Sequence, residues 1–111
     1  MRAVGTRTRR RDRRLHEPPL TVALQGLKFA TVDWSLGGFR IGGYRGQAKV
    51  GEQLAVNIFG QIAGRLLGGT AIATVVRRDF VDRELAASFT EFRSDTWDQL
   101  EQLSVRRVRR A

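Results

Sequence analysis

Short runs of alternating apolar and polar residues, separated by glycine, recur along most of this chain and restrict its fold more than any other feature. Leu20, Val22 and Leu24 alternate with Thr21, Ala23 and Gln25 ahead of Gly26. A period of two puts successive side chains on opposite faces, so such a run reads as a half-buried strand. Residues 29–35 repeat the pattern, with Ala30, Val32 and Trp34 expected on one face and Phe29, Thr31, Asp33 and Ser35 on the other. Gly37-Gly38 interrupts it, Phe39-Arg40-Ile41 resumes it, and Gly42-Gly43 interrupts it again. Leu54, Val56 and Ile58 share a face in the run 54–59, and the glycine-rich stretch 64–69 reads as a break. Residues 70–76 are rich in β-branched side chains, and Leu85, Ala87 and Phe89 alternate with Glu84, Ser88 and Thr90. Six or seven short strands with glycine turns predict a mostly β fold, a small antiparallel β-barrel.

The last stretch changes period. Ser94 is suited to an N-cap, with Asp95 and Asp98 in the first turn, where negative charge complements the helix dipole. Trp97, Leu100 and Leu103 recur at helical spacing, which predicts a C-terminal helix over about 94–105 packed on the barrel. Trp34 is expected in the core, and Trp97 as the anchor of the helix on the barrel.

The chain has 111 residues, enough for one small domain with a modest core. It has no cysteine, which excludes a disulfide framework and a thiolate nucleophile, and its single histidine, His16, argues against a histidine-based dyad. No apolar run approaches the roughly 18 residues of a membrane-spanning helix, and a cytoplasmic location is the expectation. The net charge of +9 is carried by the two ends. Residues 1–14 hold seven arginines against Asp12, and residues 106–110 hold four arginines, while 15–105 is nearly neutral. Residues 1–14 have little apolar surface to offset their ordering entropy, so a flexible arginine-rich arm is expected there. Glu17-Pro18-Pro19 closes that arm, the barrel and its helix follow over 15–105, and 106–111 forms a basic tail.

Two groups of residues carry the chemistry. Arg10-x-x-x-Arg14 concentrates guanidinium forks that match phosphate oxygens and stack on flat bases. Arg9 and Arg13 fit the same spacing. Asp33-x-Ser35-x-x-Gly38 sets a carboxylate and a hydroxyl two residues apart, then glycine. A carboxylate accepts from the N–H edge of guanine while arginines hold phosphate, a combination suited to a guanine nucleotide. Taken singly, each group has a bland counterpart: a solvated basic tail for the arginines, and turn chemistry for Asp33, Ser35, Gly37 and Gly38. Arg40, Arg77 and Arg78 could widen a basic rim, although such residues are more often solvated strand ends. No catalytic pair of carboxylates stands out, and 64–70 lacks the lysine of a phosphate-cradling loop. A receptor is expected rather than an enzyme.

Arg9-Arg10-Arg11-Asp12-Arg13-Arg14 together with Asp33-Trp34-Ser35-Leu36-Gly37-Gly38-Phe39-Arg40-Ile41 resembles the PilZ domain, a bacterial receptor module for cyclic di-GMP. The two-part signature R-x-x-x-R and [D/N]-x-S-x-x-G is present in the family's order. Gly51-Glu52-Gln53-Leu54 and Leu85-Ala86-Ala87-Ser88-Phe89 extend the likeness over most of 9–104, with alanine in the latter where glycine is common. The resemblance implies a split-barrel type of β-barrel and a cyclic di-GMP site built from Arg9, Arg10, Arg14, Asp33, Ser35, Gly37 and Gly38. It also implies an arm that orders around the ligand and a downstream protein partner, with outputs such as motility or exopolysaccharide synthesis. Family members take the ligand as a monomer or an intercalated dimer. With Arg9 ahead of the first motif arginine, the dimer is the expectation. A different class of function is a small basic barrel that binds RNA or single-stranded DNA through its arginine ends.

Overall fold

The computed structural model describes residues 14–109. Six strands, β1 (Thr21–Leu24), β2 (Leu27–Ser35), β3 (Gly38–Ile41), β4 (Gln53–Ile62), β5 (Arg65–Asp79) and β6 (Glu84–Phe92), precede one helix, α1 (Thr96–Arg109). The strands close into an antiparallel barrel in the order β1-β2-β3-β6-β5-β4. Alternation carries this outcome. Leu54, Val56 and Ile58 of β4, Ala71, Ala73 and Val75 of β5, and Leu85, Ala87 and Phe89 of β6 all point into one core with Trp34, Phe39 and Ile41.

Three hairpins have two-residue turns. Gln25-Gly26 and Ala63-Gly64 both take positive φ at each position (49° and 82°; 51° and 78°). This is the turn geometry whose twist matches a right-twisted strand pair. The expected break over 64–69 is therefore confined to Ala63-Gly64, and β5 runs on from Arg65 as a fifteen-residue strand. Gly69 belongs inside that strand because its missing side chain makes room for Thr96: a Cβ there would collide with the Thr96 hydroxyl.

The face expected for β2 also needs correction. Its register with β3 passes from Thr31 opposite Ile41 to Asp33 opposite Arg40, leaving Val32 as an extra residue. This β-bulge puts both Val32 and Asp33 on the outer side and turns Trp34 inward. Trp34 is fully buried, as expected, but it does not share a face with Ala30 and Val32, which are exposed.

Helix α1 closes one end of the barrel with Leu100 and Leu103, both fully buried, and Trp97 packs edge-on against Phe92. The helix begins two residues later than predicted and continues to Arg109. Its first carbonyl to accept an intrahelical bond is that of Asp95, from Gln99 N–H at 3.0 Å. Asp95 therefore holds the cap position, and Ser94 is a left-handed turn residue with φ 53°. Two side chains of α1 reach β5. The Thr96 hydroxyl accepts from Thr70 N–H (3.1 Å), and Gln99 Oε1 accepts from Gly68 N–H (2.9 Å).

Arg78 is no solvated strand end. Its guanidinium lies over the rings of Phe80 (4.2 Å) and Tyr44 (4.8 Å). It donates to the carbonyls of Tyr44, Gly46, Asp79 and Glu84, which fastens the 42–52 connection to the β5–β6 turn. Tyr44 completes the bracket: its hydroxyl donates to Gln25 Oε1 at 2.6 Å and accepts from Ala48 N–H.

Candidate functional site

Residues 15–20 run as an antiparallel strap beside the end of β2. Leu15 and Trp34 exchange both backbone hydrogen bonds, at 2.6 and 2.9 Å. Leu20 N–H donates to the Thr31 hydroxyl, and the Trp34 indole N–H donates to the Pro18 carbonyl at 2.7 Å. His16 Nδ1 sits 3.1 Å from the Val32 carbonyl, and the ring is exposed. The strap sets Arg14, at its leading end, over the bulged part of β2.

Asp33 lies at the centre of a charge cluster on this part of the barrel. Arg14 donates to its Oδ1 from Nε at 3.0 Å and also from Nη2. Arg40, directly opposite on β3, donates to Oδ2 at 2.7 Å. Beyond Arg40 the charges continue across the sheet: Glu84 of β6 lies 3.7 Å from Arg40 Nη1 and 3.5 Å from Arg77 Nη2 of β5. Three guanidinium groups and two carboxylates thus alternate over the outer face of four strands. The Asp33 side chain is only 8% exposed, whereas Arg14 is 44% exposed. Burial alone would raise the Asp33 carboxyl. The hydrogen bonds and positive charges of Arg14 and Arg40 outweigh that effect and hold it below its ordinary value.

The other residues singled out by sequence fall into two groups. Ser35 is buried, and its hydroxyl accepts from Gly37 N–H at 3.0 Å, a contact within the β2–β3 turn itself. Gly37 offers its carbonyl to Phe89 N–H and to the Ser88 hydroxyl. Gly38 lies against β6, where a Cβ would collide with the Ala87 carbonyl oxygen. In this structure these three residues serve the approach of β3 to β6, while Arg14 and Asp33 are brought into contact. Arg9 and Arg10, with the rest of the expected arm, lie outside the described residues.

Sequence reasoning missed Glu84 as a member of the cluster and named Arg40 and Arg77 only for a wider basic rim. For Arg40 a signal was available. A two-residue turn at Leu36-Gly37 pairs Ser35 with Gly38, so counting back two places sets Asp33 against Arg40.

An outward carboxylate flanked by guanidinium forks can accept from an N–H edge while its neighbours take oxyanions. A cavity of about 450 Å³ opens elsewhere, near Lys28, Asn57, Leu66 and Gln99, and none of the sequence-predicted site residues among the described ones lines it.

Comparison with family models and with curated proteins finds no match. Among solved structures the chain is similar to the Bacillus subtilis inhibitor of motility, MotI/DgrA, with a TM-score of 0.68 at 19% sequence identity. The match covers 95% of this chain and 54% of that one, so the chain spans about half the length of that protein. The likeness is one of fold.

Proposed function

We propose that this chain is a PilZ-type receptor for cyclic di-GMP. The observation that carries the reading is the contact between Arg14 and Asp33, which joins the last arginine of R-x-x-x-R to the carboxylate of D-x-S-x-x-G on one outer patch of the barrel. Similarity of the whole barrel to a motility inhibitor supports the same reading and suggests motility as one output.

In this reading Asp33 accepts from the N1–H and N2–H₂ donors of a guanine. Arg14, with Arg10 and Arg9 ahead of it, takes the phosphates and stacks on the base. Ser35, Gly37 and Gly38 hold the turn beneath. The arginine arm, residues 1–14, closes on the ligand over the barrel body of 15–105, and a protein partner reads the altered surface. The ligand enters as an intercalated dimer.

Nucleic acid is the less favoured ligand. Phe80 is the one exposed aromatic among the described residues, whereas single-strand binding faces stack successive bases on several rings.

Calorimetric titration at physiological salt tests this, with cyclic di-GMP beside GTP, cyclic di-AMP and a short single-stranded oligonucleotide. Binding of cyclic di-GMP alone, weakened about tenfold or more in Arg14→Ala and Asp33→Ala, is the expected result. Salt-sensitive binding of the oligonucleotide with no response to cyclic di-GMP would replace this reading with the nucleic-acid one.

A further inference from the structure

The receptor reading, on which this inference rests, leaves one problem at Asp33. If a phosphate takes Arg14, the carboxylate loses the guanidinium that grips Oδ1 and must stay fixed in a largely buried place. We propose that Arg40, which belongs to neither motif, holds the Asp33 carboxylate outward through that exchange and thereby sets the preference for guanine.

The two arginines are tied down unequally. Arg40 lies within β3, a strand paired with β2 on one side and with β6 on the other. Its Nη2 holds Asp33 Oδ2 while its Nη1 lies within 3.7 Å of Glu84, and Glu84 is steadied in turn by Arg77. Arg14 sits on the strap ahead of β1 and is the more exposed of the two, 44% against 32%. An incoming oxyanion therefore draws Arg14 away first. Oδ1 is then free to accept from N1–H and N2–H₂ of guanine, and Oδ2 stays with Arg40. Glu84 serves a second purpose by occupying the other arm of Arg40, which keeps that guanidinium from following Arg14 onto the phosphate.

Specificity follows from the acceptor character of an ionised carboxylate. Adenine presents a lone pair at N1 where guanine presents a donor, so a fixed Asp33 carboxylate repels it. Among the described residues, the charged or titratable groups around Asp33 are Arg14 and His16 from the strap and Arg40 from β3, with Glu84 of β6 and Arg77 of β5 behind Arg40. With Arg40 removed and Arg14 on phosphate, none of these guanidiniums holds the carboxylate, and it protonates or turns away.

The test is a set of titrations of wild type, Arg14→Ala, Arg40→Ala and Arg40→Lys with cyclic di-GMP and cyclic di-AMP at pH 7.5 and 5. Carbon-13 NMR titration of the Asp33 carboxyl in each unliganded protein accompanies them. Arg40→Ala should narrow the preference for cyclic di-GMP over cyclic di-AMP by about tenfold or more, with the larger effect at pH 5. Arg40→Lys should restore most of that preference. Arg14→Ala should weaken both ligands alike and leave Asp33 ionised through Arg40. If Arg40→Ala weakens both dinucleotides by one factor at both pH values, Arg40 is a phosphate contact and the proposal fails. It fails equally if the Asp33 carboxyl titrates in Arg40→Ala where it does in wild type. Wild type that binds neither dinucleotide overturns the receptor reading, and the exchange with it.

Discussion

Asp33 and Arg40 face each other across the β2–β3 hairpin, and their side chains meet at 2.7 Å on the outer surface of the barrel. The pairing exists because the bulge at Val32 turns Asp33 outward, and because the two-residue turn fixes which β3 residue stands opposite. With Arg14 on the other oxygen, both acceptor atoms of a nearly buried carboxylate are satisfied within the protein.

Acid should weaken the fold through this carboxylate. Asp33 has a folded pKa below its ordinary value of 3.8, so the folded state binds its proton less readily than the unfolded chain does. Its stabilising contribution is complete above the unfolded value and disappears as pH falls through the lower folded one. Asp33→Asn should therefore cost about 1–2 kcal/mol near neutrality, because both arginines remain half-exposed and solvent screens the pairs. Urea denaturation from pH 7 to pH 2 checks this: the gap between wild type and variant should stay flat above about pH 5 and close below the ordinary carboxylate range.

Gly38→Ala should behave as a folding defect before any effect on ligand. The added methyl meets the Ala87 carbonyl oxygen, so β3 and β6 must separate at the point where Gly38 pairs with Ser88. Overpacking of this kind costs about 2 kcal/mol, and thermal denaturation should show a Tm lower by about 10 °C.

Arg78→Lys should loosen the 42–52 connection. An ammonium cannot reach the four carbonyls that the guanidinium serves, nor stack flat between Phe80 and Tyr44. The expected cost is about 2 kcal/mol, together with faster amide exchange at Tyr44, whose N–H bonds the Arg83 carbonyl. Exchange at the strap, on Leu15, should be unchanged.

Thr96→Val keeps the shape of the side chain and deletes its hydroxyl. Thr70 N–H loses its acceptor and the Arg93 carbonyl loses a donor. Leaving such a group unpaired costs about 1–3 kcal/mol, readable as a shift in the urea midpoint at unchanged slope.

Much of the architecture could be read from the chain, and the failures have physical causes. Period-two patterning located β1, β2, β3, β4 and β6, because an antiparallel barrel has one wet and one dry face, whereas β5 was read only over 70–76 and from its β-branched content. It failed where the period itself was broken: the bulge at Val32 inserts a residue that no local signal announces, so the faces of β2 on either side of it were assigned as one. Gly68 and Gly69 were read as breakers, although here they answer to neighbours. The first lies against the Ile58 carbonyl and the second against Thr96, contacts distant in sequence. For the candidate site, Arg14 and Asp33 were named from the motifs and do meet. Arg40 was named only for a basic rim, beside the reading as a solvated strand end, since its partner emerges only once the hairpin register is known. Arg78 was beyond sequence reasoning, because the carbonyls it gathers come from three separate parts of the chain.

The contacts from α1 to β5 have a consequence for self-association. Residues 65–70 of β5 extend past the last residue paired with β6, Ala71 opposite Phe92, so one side of that extension has no strand beside it among the described residues. Bare strand edges are templates on which a second copy can add a strand of its own. Two of the amides on that side, Gly68 and Thr70, are occupied by Gln99 and Thr96. The helix that plugs the barrel is therefore also the guard of its open edge, and any event that lifts α1 exposes a sticky border as well as a core.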